Sequence, residues 1–306
     1  MGTGHAHGHG GHAAGPASGR HRTRLVAVFA LVAAFFVVEL VYGVLASSLA
    51  LLSDAGHMAA DVVTLGAALA ATKIATRPDA SGRRTFGSYR AEVFASGFAV
   101  LVMLGVAVYV VVEALGRAGD TVDVRTTPMI VVGALGLVVN AVSIVLLRAG
   151  AGESLLVRGA YLEVVADTAG SVGVVVAGVL VAVTGDAGWD TAVALAIGAF
   201  VAVRAVLLGR QVLAVLGQHV PAGCDVDAVA ADLAAVDGVT DVHDLHVWVL
   251  TSGMNVATAH LVAGPGADLD GILAASRGVL RDRHDVEHAT LQVEGARAPE
   301  CHSVDW

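Results

Sequence analysis

The sequence predicts a membrane α-helical protein: six transmembrane helices followed by a small α+β domain. Three observations carry the architecture. Hydrophobic residues make up 56% of the 306 and charged residues only 15%, with a mean hydropathy of +0.74, which suits a bilayer better than water. Six apolar runs of spanning length fill residues 25–208. From about Gln211 the chain turns to mixed polar and apolar residues.

Taken in order, residues 1–24 are rich in Gly, Ala and His without apolar periodicity, and a disordered cytoplasmic tail is expected there. His5, His7, His9 and His12 form a tract of the kind that binds metal weakly, with a plain solvated tail as the alternative. The runs follow at Leu25–Leu45, Leu49–Ile74, Val93–Val112, Met129–Leu147, Ala160–Val183 and Thr191–Leu208. Each approaches the roughly 17 to 25 residues that a spanning helix needs. The first is too long for a signal-peptide core and lacks a small-residue cleavage site, so it reads as a retained span.

Orientation follows from the basic residues. Arg20, Arg22 and Arg24 precede the first run; Lys73, Arg77, Arg83, Arg84 and Arg90 separate the second from the third. Arg148 and Arg158 lie between the fourth and fifth, and Arg210 follows the sixth. The opposite loops hold Arg117 and Arg125 beside Asp120, Asp123, Asp186 and Asp190. The excess of positive charge then places both termini in the cytoplasm, for a multi-pass protein of the cell (inner) membrane.

The last hundred residues read as helix, strand, strand, helix, strand. Asp225–Val236 is amphipathic with Asp225 as N-cap. Val239–Leu250 and Met254–Ala263 have strand composition around the turn Thr251-Ser252-Gly253, Asp268–Arg283 is helical, and Ala289–Glu294 is a short alternating strand. The expected domains are therefore a tail over 1–24, a transmembrane domain over 25–210, a cytoplasmic domain over 211–297 and a tail over 298–306. A domain this small has a modest core, which a dimer partner or a metal would reinforce. Cys224 and Cys301 fit no disulfide framework or Cys-x-x-Cys pattern and read as reduced thiols. No basic face with interleaved aromatics points to nucleic acid.

The chemistry lies in polar residues inside the apolar runs. His57 and Asp61 are four apart in the second run, and Glu163 and Asp167 are four apart in the fifth, so each pair shares one helix face. A carboxylate in hydrocarbon costs several kcal/mol and persists where it meets a partner or a cavity. Arg90, Arg158 and Arg204 sit toward the ends of their runs, so no Arg is expected beside the carboxylates at mid-depth. One imidazole and three carboxylates then form a plausible tetrahedral cage for a divalent cation. Asp54 is expected beside that shell, Glu39 is a packing or proton-handling residue, and Asn140 and Ser143 lie in the fourth run. In the cytoplasmic domain His243, His246, His260 and His288 are numerous for its size, and period two would set His243 and Leu245 on one sheet face with His246 on the other.

These residues resemble the cation diffusion facilitator family, in its bacterial zinc, cadmium and cobalt efflux branch. The matching stretches are 48–58 (Ser-Leu-Ala-Leu-Leu-Ser-Asp-Ala-Gly-His-Met), 86–92 (Phe-Gly-Ser-Tyr-Arg-Ala-Glu), Arg158–Leu162, Gly170–Gly173, 242–248 (Val-His-Asp-Leu-His-Val-Trp) and Thr290–Glu294. The resemblance implies six spans, a cytoplasmic ferredoxin-like domain, a homodimer, and exchange of Zn²⁺, with Cd²⁺ and Co²⁺ as further cargo, for protons. It implies a transport site at His57, Asp61, Glu163 and Asp167. It also implies cytoplasmic ligands, most clearly His243 and His260, more weakly His288 and Glu294, with Cys301 and His302 as accessories beside Asp54. Two departures stand out. Glu163 replaces the His common in the zinc-selective pattern, and the 73–84 loop lacks a His and Asp cluster, so no interfacial site is expected there. Mn²⁺ or Fe²⁺ as main cargo, and a membrane-tethered metal sensor that transports nothing, are the competing readings. A membrane metallohydrolase has less support: no His-Glu-x-x-His and no nucleophile motif accompanies the cluster, so no enzymatic activity and no organic cofactor are expected.

Overall fold

The computed structural model describes residues 16–74, 85–88, 90–117, 122–148, 155–251 and 253–295. The chain divides into two compact units, Met1–Gly209 and Arg210–Trp306. The His-rich tract at 5–12, most of the 73–84 loop, and Cys301 and His302 lie outside the described residues.

The first unit is built from long helices: α1 Pro16–Leu45, α2 Leu49–Ile74, α3 Ala91–Gly116, α4 Thr126–Arg148, α5 Leu155–Thr184 and α6 Gly188–Leu216. Five of them are long and apolar enough to cross a membrane by length and composition, over Thr23–Leu45, Ala91–Gly116, Thr126–Arg148, Ala160–Thr184 and Gly188–Leu216. The other, α2, has 26 residues and carries Asp54, His57 and Asp61. Two expectations are corrected here. Helix α1 begins at Pro16, inside the stretch expected to be disordered; proline suits the first helical position, where its missing N–H costs nothing, and no second proline follows before Leu45. Helix α6 runs eight residues past Leu208, because Val212, Leu213, Val215 and Leu216 continue its apolar pattern beyond Arg210.

Helix α1 packs on α2 and α4, α2 on α3 and α5, and α4 on α5. Leu49, Leu51, Met129, Leu147 and Val174 are fully buried between them, while Phe94, Phe98, Leu101, Leu115 and Val183 are exposed on the outside. Such an apolar exterior is a liability in water and the expected surface in lipid. Small residues let the helices close up: a Cβ on Gly56 of α2 would come within 2.3 Å of Val106 Cγ1 on α3, so only glycine permits that crossing.

One end of the bundle is fastened by Asp190, fully buried in the first turn of α6. Its carboxylate accepts hydrogen bonds from Ser48 Oγ (2.6 Å) and from the backbone N–H groups of Leu49 (2.7 Å) and Ala50 (3.1 Å). Arg117 Nη1 donates to Ser47 O at 3.0 Å and lies 3.5 Å from Asp190 Oδ2. An acid from another helix thus caps α2, satisfying N–H groups that a helix start leaves free and meeting the positive end of its dipole.

The second unit comprises α7 Val226–Ala234, β1 Val239–Thr251, β2 Met254–Ala263, α8 Leu269–His284 and β3 His288–Glu294. Asp225 caps α7 as expected, accepting from Asp227 N at 3.0 Å and Ala228 N at 3.4 Å. The sheet order is β1-β2-β3, with β1 and β2 antiparallel and β2 and β3 parallel. Helix α7 packs on β1, α8 on β3, and the helices on each other, so both cover one face. Val229, Leu233, Leu261, Ile272 and Leu280 form the core. Three strands are described, one fewer than a β-α-β-β-α-β unit contains.

The simple alternation expected along β1 fails. His243 pairs with His260 but His246 pairs with Thr258, three residues on β1 against two on β2. The extra residue is a bulge at Asp244, whose φ is 53°. Because cross-strand partners share a face, the bulge returns His246 to the face of His243 and His260.

Candidate metal site between the second and fifth helices

Helix geometry brings His57 and Asp61 onto one face of α2, and packing of α2 on α5 brings Asp167 to them. His57 Nε2 lies 3.0 Å from Asp167 Oδ1 and 3.6 Å from Asp61 Oδ2. One ligand atom from each of the three residues lies within 4.8 Å of the others. A tetrahedral metal with bonds near 2.1 Å separates its ligand atoms by about 3.4 Å, and the two His57 distances bracket that value. His57 and Asp167 are buried; among the described residues no hydrogen-bond partner reaches Asp61 Oδ2, and Asp167 Oδ1 has only the His57 imidazole beside it. Buried acceptors that converge without a donor are stable when a cation or protons stand between them.

Glu163 does not join this group. Its carboxylate pairs with Arg204 Nη2 of α6, while Arg204 Nη1 lies 2.9 Å from His57 Nε2. The expectation that no Arg stands beside the carboxylates is therefore overturned. Arg204 seemed terminal only because the apolar run ended at Leu208; in α6 it stands 16 residues after Gly188 and 12 before Leu216. Arg can only donate, so in this contact Nε2 is the acceptor and its lone pair is turned to the guanidinium. Phe200, one turn earlier on α6, meets the His57 ring edge-on at 6.1 Å and lies 5.9 Å from the guanidinium carbon. An Arg within the apolar middle of α6 is itself a signal: such a residue needs a carboxylate nearby.

Asp54 sits one turn before His57, outside the ligand group but buried against it. It hydrogen-bonds to Ser171 and faces the carboxyl group of Glu39, which is fully buried on α1. Asn140 Nδ2 donates to Ser171 Oγ at 3.3 Å, so four helices meet in one polar seam. Gly170 makes room for it, since a Cβ there would lie 2.4 Å from Asp54 Oδ1. Ser143 is buried, and its hydroxyl finds no partner among the described residues.

The second unit holds another group, formed by His243, His260 and Glu294 on three adjacent strands, again with ligand atoms within 4.8 Å. His260 Nδ1 lies 2.7 Å from Glu294 Oε1, and Gln292 Nε2 donates to the same oxygen at 3.0 Å. The His243 and His260 rings are 5.3 Å apart, and neither His243 ring nitrogen has a hydrogen-bond partner among the described residues. Two imidazoles and a carboxylate fit a borderline metal such as Zn²⁺, and His243 Nδ1 lies 3.5 Å from Asp241 Oδ2. His288 is not part of the group: it pairs with Val256, four residues from His260 on β2, or about 13 Å along the strand. The parallel register of β3 decides this. Asp244, which the bulge turns toward the histidines, lies 3.1 Å from His246 Nε2 and 3.9 Å from His260 Nε2. Cys224 takes no part; burial and then the Asp225 carboxylate push its thiol above the ordinary range, which disfavours the thiolate a metal needs.

Residues 25–216 match the cation efflux transmembrane domain, and residues 221–296 match the cytoplasmic domain of cation efflux proteins. The metal cation efflux system protein CzcD of Cupriavidus metallidurans is 41% identical over 96% of this chain and 90% of its own length. A cadmium, cobalt and zinc/H(+)-K(+) antiporter of Bacillus subtilis is 32% identical over 94% and 92%, and the zinc transporter ZitB of Escherichia coli is 32% identical over 91% and 90%. Two matched domains cover most of the chain, and the relatives are transporters of nearly the same length. The chain is a multi-pass membrane protein that belongs to the cation efflux, or cation diffusion facilitator, family, in its zinc, cadmium and cobalt branch.

Proposed function

We propose that the protein is a proton-coupled exporter of divalent metal cations, with Zn²⁺ as main cargo and Cd²⁺ and Co²⁺ as further cargo. The single observation that carries this is the convergence of His57 Nε2, Asp61 and Asp167 in a buried cluster of possible ligand atoms. The relatives' names, which print zinc, cadmium, cobalt and H(+), supply the cargo and the exchanged ion.

In this reading six helices span the membrane, α2 among them, with both termini in the cytoplasm of a cell whose inner membrane holds the protein. The organisation is a tail at 1–24, a transport domain at 25–210, a ferredoxin-like cytoplasmic domain at 211–297 that forms the homodimer, and a tail at 298–306. The imidazole and both carboxylates bind metal when deprotonated and bind protons when it leaves, so a proton gradient drives release on the outer side. Low pH therefore weakens metal binding, and high pH strengthens it. A second metal held by His243, His260 and Glu294 tunes the rate without being carried. The protein supplies no catalytic chemistry and needs no organic cofactor.

The test is metal flux in vesicles under an imposed pH gradient, with Zn²⁺, Cd²⁺, Co²⁺, Fe²⁺ and Mn²⁺ side by side. Zinc should lead, and Asp61→Ala should lower flux by at least about a hundredfold while membrane abundance stays unchanged. Wild-type flux in that variant overturns the site; a lead by manganese or iron overturns the cargo; no flux of any metal leaves the sensor.

A further inference from the structure

Arg204 occupies a place that the transport reading leaves unexplained. Its guanidinium fork holds two groups at once, His57 Nε2 through Nη1 and the Glu163 carboxylate through Nη2. The His57 nitrogen it touches is the atom that faces Asp61 and Asp167, so it is the atom a metal would use. One lone pair cannot serve an Arg N–H and a metal ion together. Metal binding and the Arg204–His57 contact are therefore mutually exclusive.

Charge points the same way. As ionised groups, Asp61, Asp167 and Glu163 sum to −3, and Arg204 brings the cluster to −2, which one divalent cation balances. Without the Arg the same dication would leave −1, a trap from which release is slow. Arg is suited to this part because it stays charged and its planar fork binds a carboxylate while leaving a second nitrogen directed elsewhere. Phe200, in contact range of both the His57 ring and the guanidinium, limits where that fork can swing.

We infer that Arg204 is a positioning and specificity-determining residue: it holds Glu163 as an ion-paired partner outside the ligand shell and competes with the cation for His57 Nε2. The cation is then held by His57, Asp61 and Asp167, with one position left open to water or a passing ligand. An open, three-ligand site suits an ion that must leave, whereas a closed four-ligand site suits one that stays. The inference rests on the transport reading of the same cluster but makes separate demands.

The experiment compares Arg204→Met, Glu163→Gln and the double variant with wild type and Asp61→Ala, all as full chains. Zn²⁺ flux in vesicles gives KM and turnover. Zn²⁺ titration of the purified proteins, each also carrying His243→Ala and His260→Ala to silence the sheet site, gives affinity without flux. Arg204→Met should lower KM and Kd by about tenfold and slow turnover, since an unopposed carboxylate strengthens cation binding. Glu163→Gln should raise both by about tenfold, because the freed Arg presses harder on His57. The double variant should return to within about threefold of wild type, a recovery that mere structural damage does not produce. If Glu163→Gln loses binding as fully as Asp61→Ala and Arg204→Met does not restore it, Glu163 is a ligand and the inference fails while the transport site stands. If the titrations follow the expected order but no variant, wild type included, moves metal, transport fails and the Arg204 assignment stands.

Discussion

The two candidate metal groups use similar ligands and opposite architecture. Between α2 and α5, His57, Asp61 and Asp167 come from helices whose backbone groups are consumed within the helix, so a buried carboxylate finds only side chains. Among the described residues Asp61 Oδ2 has no hydrogen-bond partner, and Asp167 Oδ1 has only the His57 imidazole beside it. On the sheet, His243, His260 and Glu294 lie on neighbouring strands, and Glu294 already has His260 and Gln292. The helical site holds its charges in tension and gains most when a cation or proton enters. The sheet site is satisfied in part beforehand. Similar donors thus suit exchange in one place and a slower regulatory metal in the other.

The sharpest way to break that contrast is to disturb the seam behind the helical site without touching a ligand. Gly170→Val would drive a side chain into Asp54, and Zn²⁺ flux should fall by at least about tenfold through overpacking of 1–3 kcal/mol (). Full flux would mean that the seam has no bearing on the site. Next in size is Asp190→Ala, which leaves Ser48 and two backbone N–H groups without their acceptor and removes an ion pair from Arg117. It should destabilise the first unit by about 3 kcal/mol, read as earlier thermal unfolding in detergent, while the sheet retains its own metal response. A joint loss in both units would erase the separation argued here.

A smaller effect is expected on the sheet. His243→Ala with His260→Ala should abolish Zn²⁺-dependent thermal stabilisation of the second unit yet leave saturating flux within about threefold of wild type. Loss of all flux would make the sheet group part of the carrier path. The smallest effect belongs to Asp225→Ala, which removes the α7 cap and should cost about 1 kcal/mol of stability with no change in KM for Zn²⁺.

Much of this was legible along the chain. The long helices, the amphipathic α7 with its Asp225 cap, and the strand–strand–helix–strand order all follow from local periodicity and turn residues. So did the pairing of His57 with Asp61, because residues four apart on a helix must share a face. Less accessible were the features that depend on where an element stops. Helix α1 starts at Pro16 and α6 runs to Leu216, and the second of these moves Arg204 from an end to the interior. Register was hidden as well: the bulge at Asp244 places His246 on the face of His243, and the parallel pairing of β3 carries His288 away from it.

By itself, then, the sequence determined the class of the protein, its bundle-and-sheet organisation and three residues of the buried candidate cluster, since apolar length and helical spacing are local quantities. Only the tertiary structure decided that Glu163 pairs with Arg204, that Asp190 caps a helix 140 residues away, and that Glu294 rather than His288 stands with His243 and His260. Those outcomes depend on which side chains meet across helices and strands, and a charge far along the chain selects its partner by proximity after folding, not by spacing before it.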